Sequence, residues 1–320
     1  MILVERQHDG SDRKGRQIIA LFGAGLIGRS ILAAICRASP VKIKGFPFTW
    51  NAEQRQPQEF AAIQQYIIAS CKDDAISPVS RIDVLWAAGH SGFDSSEGQV
   101  IPEVRTFEKV LSFSLQLLDN TSNVRHSFQM ISSAGGLFEG QKHVDRASVP
   151  RPLRPYGHAK IQQEQLLSGL PAQMQNTIYR PSSVYGFSGK GFRLGFVNTL
   201  IQNSIHHRSS NIFGNSPTIR DYVLASDIGQ FVAKKLRDSE NKPKIYTLAS
   251  GKPTTIFEML SRIERILGRK FFYTLDKIKT NTTDISFSPS ALPESWYPTN
   301  LETGLRQTAR ALAASSLALT

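Results

Sequence analysis

Short apolar runs alternate along the chain with longer stretches in which apolar residues recur every three or four positions. The strand-like runs occupy residues 17–22, 41–48, 82–89, 127–131 and 175–180. Strands that alternate with helices form parallel β-α-β units, so we predict an α/β fold with a doubly wound parallel sheet over residues 17–182. The pattern loosens afterwards. This predicts a smaller C-terminal α/β domain for substrate binding over residues 183–320, with residues 222–250 returning to the sheet domain.

The composition is that of an ordinary globular protein of 320 residues, with 40% hydrophobic and 20% charged residues. No apolar run is long enough to cross a bilayer. Residues 1–16 contain one short apolar stretch, Ile2-Leu3-Val4, followed by mostly charged or polar residues, so we predict a flexible leader and a cytoplasmic protein. Cys36 and Cys71 fall in predicted helices, where we expect small buried side chains and not metal ligands.

The formal net charge of +12 fits a nucleic-acid surface, a site for diphosphate substrates or simple solubility. Basic residues are scattered along the chain, without a long Lys/Arg run or an interleaved aromatic pattern. We therefore expect no nucleic-acid partner, and a few arginines that bind phosphate locally.

A glycine-rich turn follows the first strand-like run. Glycine also closes ordinary strand-to-helix turns, but the order strand, GxGxxG, helix over residues 17–35 favours a dinucleotide site. The N-terminus of the helix would hold the pyrophosphate. The predicted cofactor contacts in the turn are Gly23, Gly25, Leu26, Ile27, Gly28 and Arg29.

Tyr156 and Lys160 are candidate catalytic residues, together with Ser133 after the fourth strand-like run. If residues 155–170 form a helix, Tyr156 and Lys160 lie on one face of it. A phenolate that acts as a base near pH 7 needs about 4 kcal/mol of stabilisation relative to free tyrosine. A neighbouring ammonium and a nicotinamide cation can supply it. Ser133 would hydrogen-bond the reacting oxygen. The Tyr-x-x-x-Lys spacing alone is as consistent with chance as with catalysis.

Further motifs accompany these residues, and together they resemble the extended short-chain dehydrogenase/reductases, specifically the NAD-dependent epimerase/dehydratase family acting on nucleotide sugars. The motifs are Trp86-Ala87-Ala88-Gly89, Tyr179-Arg180-Pro181-Ser182-Ser183-Val184-Tyr185-Gly186, Arg220-Asp221-Tyr222-Val223 with Asp227-Ile228, Tyr246-Thr247-Leu248-Ala249-Ser250-Gly251, and Leu301-Glu302-Thr303-Gly304-Leu305. The resemblance covers residues 17–308. It is specific for the superfamily and does not select one reaction within it.

The resemblance implies a Rossmann sheet, an NAD(P) cofactor and a nucleotide-diphosphate sugar as substrate. Ser133, Tyr156 and Lys160 would form the catalytic set. The implied cofactor contacts outside the glycine turn are Ala87, Ala88, Gly89, Lys160 and Pro181. Ser183 and Arg220 would contact the substrate, since a guanidinium can bind a diphosphate through paired hydrogen bonds. The alternative for Arg220 is an ion pair with a carboxylate such as that of Asp221.

The family also implies a homodimer formed through the helices over residues 99–118 and 156–169, and a setting in polysaccharide biosynthesis. No membrane partner is implied.

Three departures from the family pattern concern the cofactor. The family usually has GxxGxxG, whereas Phe22 stands at the first glycine position, so we expect a tighter turn. Residues 48–51 contain no acid to bind the adenosine ribose, while Arg29 and Arg55 stand nearby. The adenine-binding aspartate of a further short strand has a counterpart only if Asp73 or Asp74 takes its place. We favour NAD slightly over NADP, which stays open because a 2′-phosphate prefers arginine.

The residues after Ser133 distinguish the reactions of the family. Dehydratases carry Asp-Glu at this place, whereas Ala134-Gly135 cannot move a proton, which argues against a 4,6-dehydratase unless Glu139 or Asp145 reaches the site. Epimerisation and keto-sugar reduction need only the tyrosine, the lysine and the nicotinamide. We therefore predict an epimerase first and an NADPH-dependent keto-sugar nucleotide reductase second. A third alternative is a non-enzymatic dinucleotide sensor or RNA-binding protein of the same fold, against which the catalytic set argues.

Overall fold

The computed structural model describes residues 1–9, 14–72, 77–189, 194–238, 244–270, 272–276 and 282–317. Its strands are β1 (Ile2–Asp9), β2 (Lys14–Phe22), β3 (Val41–Gly45), β4 (Val79–Trp86), β5 (Arg125–Ile131), β6 (Met174–Pro181), β7 (Ser183–Tyr185), β8 (Ser210–Phe213), β9 (Ile219–Arg220), β10 (Tyr222–Leu224), β11 (Lys244–Leu248), β12 (Thr254–Thr255) and β13 (Tyr273–Asp276). Its helices are α1 (Leu26–Ala38), α2 (Gln56–Lys72), α3 (Glu97–Asn120), α4 (Ala134–Leu137), α5 (Pro155–Ser168), α6 (Phe196–Ile205), α7 (Ala225–Lys235), α8 (Ile256–Leu267) and α9 (Leu301–Leu317). Within the described ranges, no helix is both long and apolar enough to span a membrane. Asp73 and Asp74 lie outside the described residues.

A seven-stranded sheet has the order β11-β6-β5-β4-β2-β1-β3. The strands β2, β4, β5 and β6 are parallel to one another. Helices α1, α2, α3 and α5 occur between successive strands of this sheet along the chain. Every residue of β4 is buried, as expected for a parallel strand that is covered on both faces. The predicted α/β fold with a doubly wound, mainly parallel sheet is therefore confirmed.

The chain divides into two compact units that interleave along the sequence. The first comprises Met1–Ser132, Arg154–Tyr179 and Gly229–Tyr246, and the second comprises Ser133–Leu153, Arg180–Ile228 and Thr247–Thr320. The core of the first unit includes the buried side chains of Phe22, Trp86, Phe107, Phe113 and Phe128. The second unit has a core of its own, which includes Tyr185, Leu200, Met259, Ile263 and Leu305.

The prediction of a flexible leader is wrong for the described residues of the range 1–16, which contain β1 and the start of β2, while residues 10–13 lie outside the described residues. β1 lies between β2 and β3 in the sheet and pairs antiparallel with both of them. Its residues Leu3 and Val4 are completely buried. A signal for this arrangement is present in the sequence, because Ile2-Leu3-Val4 is an apolar run with two β-branched residues, as is typical of a buried strand.

Two buried charged residues of β1 have hydrogen-bonding partners, although the Nη1 and Nη2 atoms of Arg6 are buried without one. Arg6 Nε donates to Gln17 Oε1 at 2.7 Å. Glu5 accepts from Tyr66 OH at 2.9 Å and from Arg16 Nη1 at 3.1 Å. A buried charge with a hydrogen-bonding partner costs far less free energy than an unpaired one. The alternating charges that suggested a solvated leader therefore belong to an internal strand, and their partners come from β2 and α2.

The inserted strand β1 increases the distance between β2 and β3 at the edge of the sheet where both strands have their carboxyl ends. We call this edge, which includes Phe22 at the end of β2 and Trp86 at the end of β4, the cofactor edge. In the usual doubly wound arrangement the second strand lies beside the strand that enters the glycine turn. Here β1 separates β2 from β3. With a strand spacing of about 4.8 Å, the carboxyl end of β3 is displaced to about 10 Å from β2.

Replacement of Leu3 by alanine tests whether β1 is an integral strand. We expect Leu3→Ala to lower the free energy of unfolding by about 2–3 kcal/mol, because it leaves a cavity beside β2 and β3. Ile43→Ala is the matched control, since Ile43 lies on β3 but is 50% exposed, and it should change stability much less. Urea denaturation measures both effects. Equal and small effects of the two substitutions would contradict an internal β1.

The two cysteines lie in helices, as predicted, but Cys36 is not buried. It is exposed on α1, and Cys71 on α2 is half-buried. The buried face of α1 carries Ile31, Ala34 and Ile35. One further residue along a helix turns the side chain by about 100°, which carries Cys36 out of that face. Burial raises the pKa of the Cys71 thiol to about 11.

Candidate active site

The glycine turn joins β2 to α1, and its three glycines meet different surroundings. Gly23 has a positive φ of 101°, and a Cβ there would overlap the backbone of Ala87 and Ala88. A Cβ on Gly28 would overlap the carbonyl oxygen of Gly23. Apart from its two neighbours in the chain, no described residue has an atom within 4 Å of a Cβ placed on Gly25. Tight packing at the outer glycines and an open backbone at the middle one match the roles of these positions in a dinucleotide-binding turn.

The N-terminus of α1 supplies the electrostatics of this turn. The helix begins at Leu26, so the positive end of its dipole lies where a pyrophosphate would be stabilised. Arg29 is fixed in the first turn, where its N–H donates to the carbonyl of Gly25 at 2.9 Å and its Nε donates to the carbonyl of Ala24 at 3.2 Å. Leu26, Ile27 and Arg29 are half-buried, whereas Gly28 is buried.

The loop after β4 lies directly beside the glycine turn. Ala87 N–H donates to the carbonyl of Phe22 at 2.8 Å, which extends the parallel pairing of β2 and β4 to the edge of the sheet. Ala87, Ala88 and Gly89 are therefore placed along the same edge as the turn. Pro181 is buried at the end of β6.

Alanine substitutions at Gly25 and Gly28 distinguish an effect on dinucleotide binding from an effect on stability. We expect Gly25→Ala to leave the thermal midpoint of unfolding unchanged but to weaken dinucleotide binding at least about tenfold, since the methyl group would occupy the open approach. Gly28→Ala should instead lower the free energy of unfolding by about 2 kcal/mol, because Cβ would overlap the Gly23 carbonyl. Calorimetric titration and thermal unfolding of both variants measure these effects. Wild-type dinucleotide affinity in Gly25→Ala would contradict this assignment of the turn.

Tyr156 and Lys160 lie in the first turns of α5. The helix starts at Pro155, which is favourable at the first helical position. Lys160 Nζ lies 5.7 Å from the centroid of the Tyr156 ring. The Tyr156 ring also lies 6.1 Å from the Phe93 ring. The predicted helix, with tyrosine and lysine on one face, is thus present in the structure.

Lys160 is almost completely buried and bound to a carboxylate that the sequence did not single out. Its Nζ donates to Glu103 Oε1 at 2.9 Å and to Gln163 Oε1 at 3.1 Å. The side chains of Lys160 and Glu103 are 4% and 10% exposed. Glu103 also accepts from Ser91 N–H at 3.3 Å, and a Cβ on Gly89 would lie 3.2 Å from it. Glu103 therefore connects Lys160 to the loop that follows β4.

The pair of Lys160 and Glu103 is ionised at neutral pH. Burial by itself lowers the pKa of Lys160, but Glu103, Tyr156 and Glu164 more than offset it, and the net pKa is raised above the ordinary value. Burial likewise raises the pKa of Glu103, and the interaction with Lys160 and the hydrogen bond from Ser91 reverse this, so that the net pKa is lowered. A fixed cation therefore stands beside the Tyr156 ring.

A second buried contact of α5 involves Glu164 and Ser132. Ser132 Oγ donates to Glu164 Oε1 at 2.5 Å, and both residues are buried. Gln163 and Glu164 follow Lys160 by three and four residues, so helical spacing alone could have identified them. Glu103 has no such local signal, because it is 57 residues away from Lys160 in the sequence.

Ser133 belongs to the second unit and is the N-cap residue of α4. Its Oγ accepts from Gly136 N–H at 3.1 Å, and the residue is 8% exposed. The local sequence explains this arrangement, because serine caps a helix start well and the following Ala134-Gly135-Gly136 permits a short turn. The structure brings Tyr156 and Lys160 together within the first unit, whereas Ser133 follows directly after the end of that unit's segment at Ser132.

The residues predicted to contact substrate also lie in the second unit. Arg220 donates through Nη1 to two backbone carbonyl groups of its own unit. The neighbouring Asp221 carboxylate accepts from Ser182 Oγ at 2.6 Å and from Ser250 N–H at 2.7 Å. Burial raises the pKa of Asp221. Ser183 N–H donates to the Asp221 carbonyl at 3.0 Å. The aspartate of this motif thus joins three segments of the second unit.

The two acids considered for dehydration chemistry are engaged locally. Glu139 is buried and accepts from Thr283 Oγ1 at 2.9 Å. Asp145 is exposed and accepts from Ser148 Oγ at 2.8 Å and from Ala147 N–H at 3.0 Å. These contacts give each carboxylate a structural role in the second unit.

Comparison with known proteins identifies the family. Residues 23–249 match the family model described as the NAD dependent epimerase/dehydratase family. The chain belongs to this family. The resemblance seen in the motifs is thereby confirmed.

Individual members of the epimerase/dehydratase family are distant in sequence. UDP-glucose 4-epimerase 4 of Oryza sativa subsp. japonica is 24% identical over 180 residues, and the chain spans about half the length of this curated relative (49%). Among solved structures, a UDP-glucose 4-epimerase of Thermotoga maritima with UDP-glucose has a TM-score of 0.67 at 18% identity, covering 93% of this chain and 99% of that one. A UDP-glucuronic acid 4-epimerase of Bacillus cereus with UDP-glucuronic acid and NAD has a TM-score of 0.68 with the same identity and coverage. At these identities the structures establish the shared fold.

Proposed function

We propose that this member of the epimerase/dehydratase family is an NAD(P)-dependent nucleotide-sugar epimerase in which Tyr156 acts as acid and base. The observation that carries the proposal is a continuous set of contacts within the first unit. Gly23 packs on Ala87 and Ala88, Glu103 packs on the loop that follows them, and Glu103 holds Lys160 beside Tyr156. A dinucleotide turn and an acid–base pair are thus connected through one carboxylate.

The residues of the first unit fit a dinucleotide. The open backbone at Gly25 and the positive end of α1 would hold a pyrophosphate. Bound NAD(P) would supply a hydride acceptor and donor at its nicotinamide ring. Lys160 would bind the nicotinamide ribose, and its ammonium lies 5.7 Å from the centroid of the Tyr156 ring. Tyr156 would then remove the proton of a sugar hydroxyl and return it after the intermediate has turned.

The proposed substrate is a sugar linked to a nucleoside diphosphate. Solved relatives are complexed with UDP-glucose and UDP-glucuronic acid, and the net charge of +12 favours an anionic ligand. In the second unit, Arg220 would contact the diphosphate, Ser183 the sugar and Ser133 the reacting oxygen.

Ala134 and Gly135 lack groups for a proton transfer, which favours epimerisation over elimination. A keto-sugar nucleotide reductase with NADPH is the alternative reaction of the same residues.

We further propose NAD slightly ahead of NADP, a homodimer formed through α3 and α5, and a cytoplasmic location. The helices α3 and α5 pack on each other through Val100, Val104 and Ala159, and α3 also carries the exposed Ile101.

The experiment that tests this function starts with the dinucleotide content of the purified protein. The protein is denatured, the released nucleotide is identified, and the stripped protein is titrated with NAD and NADPH. Stoichiometric retained NAD, followed by interconversion of a UDP-, GDP- or dTDP-hexose with its epimer, is the expected result. An empty site that prefers NADPH would support the reductase. No affinity for either dinucleotide would overturn the enzymatic assignment.

A further inference from the structure

The segment after β3 crosses the cofactor edge of the sheet. Phe22 and Trp86 are the last residues of β2 and β4. The ring of Phe48 lies 5.3 Å from the ring of Phe22, and the ring of Trp50 lies 6.0 Å from the ring of Trp86. β1 separates β3 from β2 by one strand. The rings of Phe48 and Trp50 nevertheless lie against the carboxyl ends of β2 and β4.

This segment is held in one conformation by side chains of α2. Glu59 accepts from the N–H and the Oγ1 of Thr49 at 2.7 and 2.6 Å. Gln56, which is completely buried, donates through Nε2 to the carbonyls of Thr49 and Trp50 at 3.1 and 3.4 Å. The backbone that carries the Trp50 ring is thus fixed on both sides. A ring presented in this way loses little conformational entropy when a ligand binds it.

Trp50 offers the exposed aromatic surface at this edge. Trp50 is 39% exposed, whereas Trp86, whose ring lies 6.0 Å away, is completely buried. Both oxygens of Glu59 are engaged by Thr49, and Glu53 is ion-paired with Lys109. Where the family usually has an acid after β3, the chain carries a large flat ring. A purine stacks favourably on such a ring whatever its substituents.

We propose that Trp50 is the platform on which the adenine of the dinucleotide stacks. The proposal rests on the proposed function, since it names the group that binds the adenosine half of the same cofactor. A pyrophosphate on the N-terminus of α1 would place the adenosine on the side of β3. Trp50 follows β3, and its ring lies 6.0 Å from the ring of Trp86 at the end of β4. Stacking would bind the adenosine without a carboxylate, since Glu53, the one acid between Phe46 and Gln56, is exposed and paired with Lys109.

The test is calorimetric titration of the full chain with ADP-ribose, which carries the adenosine and pyrophosphate but no nicotinamide. Trp50→Ala should weaken ADP-ribose binding about tenfold or more, and Trp50→Phe should retain most of the affinity because it keeps an aromatic face. Tyr297→Ala removes an 84% exposed aromatic side chain of the second unit and should leave binding unchanged. Thermal unfolding of each variant shows that it is folded.

Fluorescence gives an independent readout, because the chain has three tryptophans and the other two, Trp86 and Trp296, are buried. ADP-ribose should quench the wild-type emission, and Trp50→Phe should abolish the quenching while binding persists. Binding of ADP-ribose to Trp50→Ala within about twofold of wild type would overturn the stacking proposal and leave the proposed function standing. Failure of the wild type to bind ADP-ribose, NAD and NADPH would overturn both.

Discussion

Tyr156→Phe is expected to lower kcat about a thousandfold while leaving dinucleotide affinity at the wild-type value. The substitution removes only the hydroxyl that would exchange a proton with the sugar. The ring packing against Phe93 and the contact with Lys160 are kept. Steady-state kinetics with the active nucleotide sugar, together with titration of NAD and NADPH, measure the two quantities separately.

The matched control is Tyr297→Phe, which removes a hydroxyl from a tyrosine that is 84% exposed in the second unit. Its kcat should equal that of wild type. Turnover by Tyr156→Phe within about tenfold of wild type would mean that another group moves the proton, since general acid–base catalysis contributes at least about a hundredfold. Loss of dinucleotide affinity in the same variant would point instead to a binding role for the hydroxyl.

Glu103→Ala is expected to lower the free energy of unfolding by about 3–5 kcal/mol, because it leaves the buried ammonium of Lys160 without its carboxylate. The double substitution Glu103→Leu with Lys160→Met removes both charges and should recover most of this loss, yet remain catalytically inactive. Glu53→Ala breaks the exposed ion pair with Lys109 and should leave stability close to wild type. Urea denaturation at pH 7 measures all three. A small effect of Glu103→Ala would show that Lys160 finds another partner.

The pH dependence of stability provides a second readout of the same pair. The pKa of Glu103 is lowered in the folded protein, so its contribution is present above the ordinary value of 4.5 and is lost as the pH falls through the folded value. The pKa of Lys160 is raised, so its contribution is present below 10.5 and is lost as the pH rises through the folded value. Wild type should therefore lose stability relative to the double variant below pH 4.5, and a parallel course of the two curves would contradict the assignment.

The sequence by itself determined the parallel sheet, the glycine turn and the common face of Tyr156 and Lys160. Each of these depends on residues that are neighbours in the chain. A continuously apolar run such as β4 must be buried on both faces, and residues four apart on a helix must be adjacent. The family motifs are local as well, which is why the resemblance and the family match agree.

Only the tertiary structure decided where β1 pairs, which carboxylate holds Lys160 and what covers the cofactor edge. In the sequence, the charged residues of β1 suggest a solvent-exposed segment. In the structure, Gln17, Arg16 and Tyr66 form hydrogen bonds with them. Glu103 meets Lys160, and Trp50 meets Trp86, across long separations in the sequence. The physical reason is that the free energy of a buried charge or an exposed ring depends on the residues packed against it. These residues are distant in the sequence, so the pattern of polar and apolar positions does not identify them.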